Sequence, residues 1–176
     1  MKKLLPALFS ALIASIATPA LACGYDSIIN NPFTLNYPGS MVVALKTQQA
    51  ITEGAISPLP ALTGKDGLAR VSQWLEQLRG RLQQAGLDER FSVYLVDSNL
   101  WTRFDPLGGN VLVQSHITPE PNETVLLMTE AGLNALLHAN LTLAQAQQKQ
   151  LFKWSKTNDA RVVASFERSI SEVAIF

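Results

Sequence analysis

The chain of 176 residues has one cysteine, two histidines and, beyond its N-terminal segment, no long apolar run. Each shortage removes a class of chemistry. A single cysteine cannot close an internal disulfide, so no disulfide framework supports the fold. His116 and His138 are far apart, and no Cys-x-x-Cys, His-x-His or His-Glu-x-x-His spacing occurs, so no metal site is expected. Gly-x-Ser-x-Gly is missing, and the histidines fall in a strand pattern and near a short helix's end, so neither reads as a catalytic base. The phosphate-loop pattern is absent too, which leaves Gly108-Gly109 as a turn. Charged residues make up 16% of the chain, and no two carboxylates have a spacing that suggests general acid/base work. The expectation is a non-enzymatic protein with no cofactor.

The apolar run that is present opens the chain: MKKLLPALFSALIASIATPALAC. Lys2 and Lys3 form a positive start, residues 4–16 an apolar core, and Ala20-Leu21-Ala22 the small residues of a cleavage site. This is the pattern of a secretory signal peptide over residues 1–22, and its core is shorter than the ~20 residues of a spanning helix. The protein is therefore expected to be periplasmic. Cys23 follows the cleavage site. A lipoprotein signal would place Leu three residues before the cysteine and a small residue two before it, where Ala20 and Leu21 stand. The preferred reading is a soluble mature protein beginning at Cys23. Lipidation, a mixed disulfide with another chain or a free thiol stay open for that residue, and a membrane is a partner only if Cys23 is lipidated. Removing 22 residues leaves 154 of the 176, enough for one domain with a real core. Lys2 and Lys3 leave with the leader, so the 14 basic residues fall to 12 against 14 acidic ones. No basic stripe remains, and nucleic acid is not an expected partner.

Residues 23–39, rich in Asn, Pro and Gly, read as an extended arm, and 40–176 as one domain. Ser40 can cap a helix reaching about Gly54, with Val42, Leu45 and Ile51 on its buried face. Asp66 can cap the strongest helix, where Leu68, Val71, Leu75, Leu78, Leu82 and Ala85 make one apolar stripe that Gly86 ends. Strand patterns follow at 91–97, 100–105, 110–118 and 124–129, separated by tight-turn signals, and read as an antiparallel meander. Thr129 and Thr142 can cap two short helices, 151–155 reads as a last strand, and Asn158 or Asp159 can cap a final helix carrying Val162, Val163, Phe166, Ile170 and Val173. The expected fold class is α+β: a mainly antiparallel sheet of four to five strands covered by helices.

Along SNLWTRF and the Asp105 that follows it, Trp101, Arg103 and Asp105 share one face of a strand. That face reads either as a binding surface, an aromatic plate beside a guanidinium, or as a solvent-facing strand whose tryptophan covers apolar surface. Trp154 carries the same two readings.

Residues 68–173 resemble the sterol-carrier-protein-2 (SCP2) domain. In that family a helix precedes strands, and a polar cap opens a helix ending in Leu-Leu. A short Ala-containing helix, a strand and a final helix follow. Here TEAGLNALLHANLTLAQAQQKQLFKWSK takes that place, with Leu136-Leu137 as the pair and Ala146 in the short helix. Ala139-Asn140 and Gln150 stand where the family has glycine. The start Cys23-Gly24-Tyr25-Asp26 also resembles that of exported bacterial proteins without an assigned activity. The SCP2 resemblance implies an apolar tunnel between sheet and helices that holds a lipid-, sterol- or quinone-like molecule. Its candidate lining residues are Trp101, Leu126, Met128, Leu133, Leu137 and Phe166. The alternative expectation is an interaction or assembly protein, docking a protein partner through its N-terminal arm and Cys23.

Overall fold

The computed structural model describes residues 37–155 and 159–171. The leader at 1–22, Cys23, most of the arm, the Asn158 cap and Val173 lie outside the described residues.

Among the described residues five helices and five strands follow one another as α1 (Ser40–Thr52), α2 (Gly64–Gln84), β1 (Phe91–Leu95), β2 (Leu100–Leu107), β3 (Asn110–Ser115), β4 (Thr124–Met128), α3 (Glu130–Leu137), α4 (Leu143–Gln148), β5 (Phe152–Trp154) and α5 (Ala160–Ser171). From α2 onward this is the order that the SCP2 resemblance implies. The strands form one sheet in the order β3-β2-β1-β4-β5. β1, β2 and β3 are the expected antiparallel meander. The β2–β3 turn is Gly108-Gly109, both at positive φ, between the paired Leu107 and Asn110, a two-residue hairpin only glycine enters freely. β4 departs from the meander: it crosses to β1 and pairs with it in parallel, Phe91 opposite Thr124 and Leu95 opposite Met128. Every residue of β1 and β4 is buried, as central strands covered on both sides require. The remaining pairings are antiparallel.

The helices divide unequally. Phe91, Val93, Leu95, Leu126 and Met128 face the main core, with the stripes of α2, α3 and α5. On the opposite face Tyr94, Val96, Val125 and Leu127 meet Val43 of α1, with Trp101 and Tyr37 packed beside them. We call these the first and second faces.

Capping explains several boundaries. Thr129 accepts the Gly132 N–H, and Thr142 with Gln145 forms a reciprocal capping box. Ser40 and Asp66 are not caps: Gly39 and Thr63 hold those positions, and Ser40 and Asp66 lie in the first turns of their helices. In α1 the expected buried face is also different. Val42 is 48% exposed and Leu45 64%, with Ile51 only partly buried; the face turned inward is Ser40, Val43, Thr47 and Ala50. Small residues let α1 lie close to β4, and the Thr47 hydroxyl bonds the Thr129 hydroxyl at 3.1 Å. β3 stops at Ser115 rather than 118 because His116 takes a positive φ.

Candidate functional site

Five of the six candidate lining residues meet. Leu126 and Met128 from β4, Leu133 and Leu137 from α3 and Phe166 from α5 belong to one apolar layer between the first face and the helices, each no more than 2% exposed. Aromatic rings form its floor and side. Phe91 stacks on Phe104 at 5.4 Å, and Trp154 meets Phe166 edge-on at 5.5 Å. Trp101 is not among them. It lies on the second face, stacked on Tyr94 at 4.1 Å with the Tyr37 ring edge-on at 5.5 Å. Strand parity decides this: Trp101 pairs with Tyr94, whose side chain points away from that of Val93 and Leu95. The two tryptophans thus separate, and Trp154 is the one that borders the layer. Its signal is the alternation Phe152-Lys153-Trp154, which sends both aromatics to the same side.

One end of the layer is polar. Arg70 on α2 pairs with Glu130 at 2.9 Å, donates to the Pro60 carbonyl at 2.7 Å and lies over the Trp74 ring at 5.2 Å. Glu130 opens α3, where a carboxylate also suits the helix dipole. Asp97, just past β1, accepts the Glu130 backbone N–H on both oxygens, at 3.1 and 3.0 Å. Crowding by protein and then the Glu130 carboxylate push the Asp97 pKa up to about 7, against the pull of the Glu130, Asp97 and Ser98 backbone N–H groups. The residue keeps an exposed flank. Water there limits desolvation, so the upward direction is what the geometry supports. Sequence reasoning missed this cluster, because its members are 27 and 33 residues apart or more and share no motif.

On the second face the Trp101–Arg103 plate is consumed internally. Arg103 reaches Glu123 through Nε at 3.3 Å and Nη2 at 3.0 Å, and Nη2 also meets the Thr118 carbonyl at 3.2 Å. The Ser92 hydroxyl donates to the same Glu123 carboxylate. These bonds tie the loop before β4 across the sheet. The Tyr94 hydroxyl donates to Asn99 at 2.8 Å, and burial, with Asp97 nearby, raises its pKa.

A surface cleft of about 430 Å³ between α1 and α4 is lined by polar side chains including Lys46, Gln49, Glu53 and Gln150. None of the six candidate lining residues borders it or the two open clefts near Glu120, one of which Asp105 does line. His138 sits exposed at the α3 end with Nδ1 3.0 Å from the Asn134 carbonyl oxygen. Among the described residues no three His, Cys, Asp or Glu side chains could hold a metal ion, and no helix is long and apolar enough to cross a membrane.

No protein-family profile matches the chain, and no curated protein sequence matches it significantly. Among solved structures it is similar to a crystal structure of sterol carrier protein 2, at 12% identity and a TM-score of 0.42, over 57% of this chain and 90% of that one. It is also similar to the solution structure of a conserved hypothetical protein from Thermus thermophilus, described as possibly a sterol carrier protein, at 15% identity and a TM-score of 0.39, over 67% of this chain and 88% of that one.

Proposed function

We propose that the protein is an exported, non-enzymatic carrier that holds an apolar, lipid- or quinone-like molecule between the first face of the sheet and helices α3 and α5. The observation that carries this reading is the convergence of Leu126, Met128, Leu133, Leu137 and Phe166 from three elements in one continuous apolar layer. Such a layer suits a ligand that contributes no hydrogen bonds. It is closed, so a ligand enters by displacing side chains. α5 is the natural cover, because it rests on Val162, Phe166 and Ile170 and is tied to α2 by Arg168 donating to the Ala85 carbonyl at 2.9 Å. The leader at 1–22 supplies the export signal. Trp101 leaves the set of lining residues and Trp154 enters it.

The test is direct. The purified protein is extracted with organic solvent and the extract read by mass spectrometry, and an apolar fluorescent probe is titrated into the stripped protein. A bound lipid and saturable probe binding, weakened by Leu137→Asp, are expected. A protein that carries no lipid and binds no probe refutes the reading.

A second reading has its own observation. Met41, Val42 and Leu45 are 44 to 64% exposed on α1, directly after the arm. These suit docking of a protein partner, with Cys23 as tether. Deleting residues 24–36 would then abolish recovery of that partner and leave the fold intact; unchanged recovery refutes it.

A further inference from the structure

Among the described residues β3 and β5 are the two edges of the sheet, and they are finished differently. β5 is three residues long and carries Lys153 at its centre, a short charged edge that resists pairing. β3 is six residues long, and residues 107–118 contain no Asp, Glu, Lys or Arg. The prolines that flank this stretch, Pro106 on β2 and Pro119 in the following loop, lie outside β3. Leu107 and Leu112, 64% and 45% exposed, stand on the second face beside this edge.

The register says which backbone groups the edge offers. His116 donates its N–H to the Trp101 carbonyl at 2.8 Å, continuing the β2–β3 ladder. Hydrogen-bonded pairs alternate along an antiparallel ladder. Residues 110, 112 and 114 therefore bond to β2, and Val111, Val113 and Ser115 turn their N–H and C=O groups outward.

We propose that β3 is the interface between two copies of this chain, which pair antiparallel about a two-fold axis at Val113 to make one continuous sheet. That register uses every outward group: Val113 opposes Val113 of the second copy, and Val111 opposes its Ser115. A centre shifted to residue 112 leaves Ser115 without a strand partner. On the second face Leu112 opposes Gln114 of the other copy, and the two Leu112 side chains become diagonal neighbours. An uncharged strand meets its own copy without repulsion, which selects a second copy over a charged partner.

The experiment is sedimentation equilibrium of the purified full-length protein across a concentration series, with hydrogen exchange at the low and high ends. A monomer–dimer equilibrium is expected, with the amides of Val111, Val113 and Ser115 protected only at high concentration. Leu112 and Gln114 are exposed, so substitutions there leave the fold intact. Leu112→Lys with Gln114→Lys sets like charges opposite each other twice and weakens the dimer by about ten-fold or more. Leu112→Lys with Gln114→Glu sets opposite charges across the same seam and restores it. A monomer at all concentrations overturns the proposal. So does a dimer indifferent to these charges, which would lie elsewhere. Protection of the three amides independent of concentration also overturns it, because the edge is then covered within one chain.

Discussion

Among the described residues four helices lie on the first face of the sheet and one on the second, and the two sides are held by different forces. The first face carries an apolar layer with the Arg70, Glu130 and Asp97 cluster at one end, and the buried hydroxyls of Thr102, Ser165 and Ser169 lie on the same side. The second has a small apolar cluster under α1 and then a buried ion pair, Arg103 with Glu123, that holds a loop in place of a helix. Apolar side chains can exchange contacts with one another for contacts with an apolar ligand. A charge pair with fixed geometry cannot.

The largest expected effect breaks the first face. Phe166 is fully buried among Phe152 and Trp154, and Phe166→Ala should cost about 3–5 kcal/mol in denaturant unfolding. On the second face, Glu123→Ala leaves Arg103 charged, nearly buried and without its main partner, and should cost about 3 kcal/mol. The double substitution Arg103→Met with Glu123→Leu should recover most of that loss. If it does not, the pair is positioning the loop rather than merely avoiding an unpaired charge.

Asp97 sharpens the contrast through pH. Its folded-state pKa is raised above the value of about 4 it has in an unfolded chain. The native state therefore holds the proton more tightly, and stability is favoured below the unfolded value and declines as pH rises from there through the raised folded value. Asp97→Asn keeps an oxygen for the Glu130 N–H and should flatten this decline, as thermal melts at a series of pH values would show. An unchanged profile would assign the pH dependence to other groups.

Smaller effects sit at helix ends on the first face. Ala139 and Gln150 adopt φ values of 53° and 56°, left-handed conformations that glycine occupies without strain. Ala139→Gly and Gln150→Gly should each stabilise by about 0.5–1 kcal/mol. The smallest effect is expected at Leu45, where replacement by Gln should change stability by no more than about 0.5 kcal/mol.

Those two left-handed residues show how far the sequence could be read. The resemblance calls for glycine at the Ala139-Asn140 pair and at Gln150, and Ala139 and Gln150 take a left-handed conformation that glycine enters freely. The stripe of α2, the caps Thr129 and Thr142 and the parity of β1 were all legible, because each is written in residues within one or two turns of each other. In the candidate site, Leu126, Met128, Leu133, Leu137 and Phe166 were legible as inward-facing positions. Trp101 was not, since a strand's alternation says which residues share a side and not which side is covered. The Arg70–Glu130–Asp97 cluster was illegible for the same reason at longer range.

By itself the sequence determined where helices and strands run, how most of them end, and that one side of each must be buried. These follow from local periodicity and from backbone groups that need nearby partners. Only the tertiary structure decided that β4 crosses to pair in parallel with β1, that α1 buries Val43 and Thr47 while exposing Leu45, and that Trp101 and Trp154 lie on opposite faces. Those choices depend on contacts between segments tens of residues apart. Their free energy comes from how surfaces fit after the chain has closed on itself, which no local pattern records.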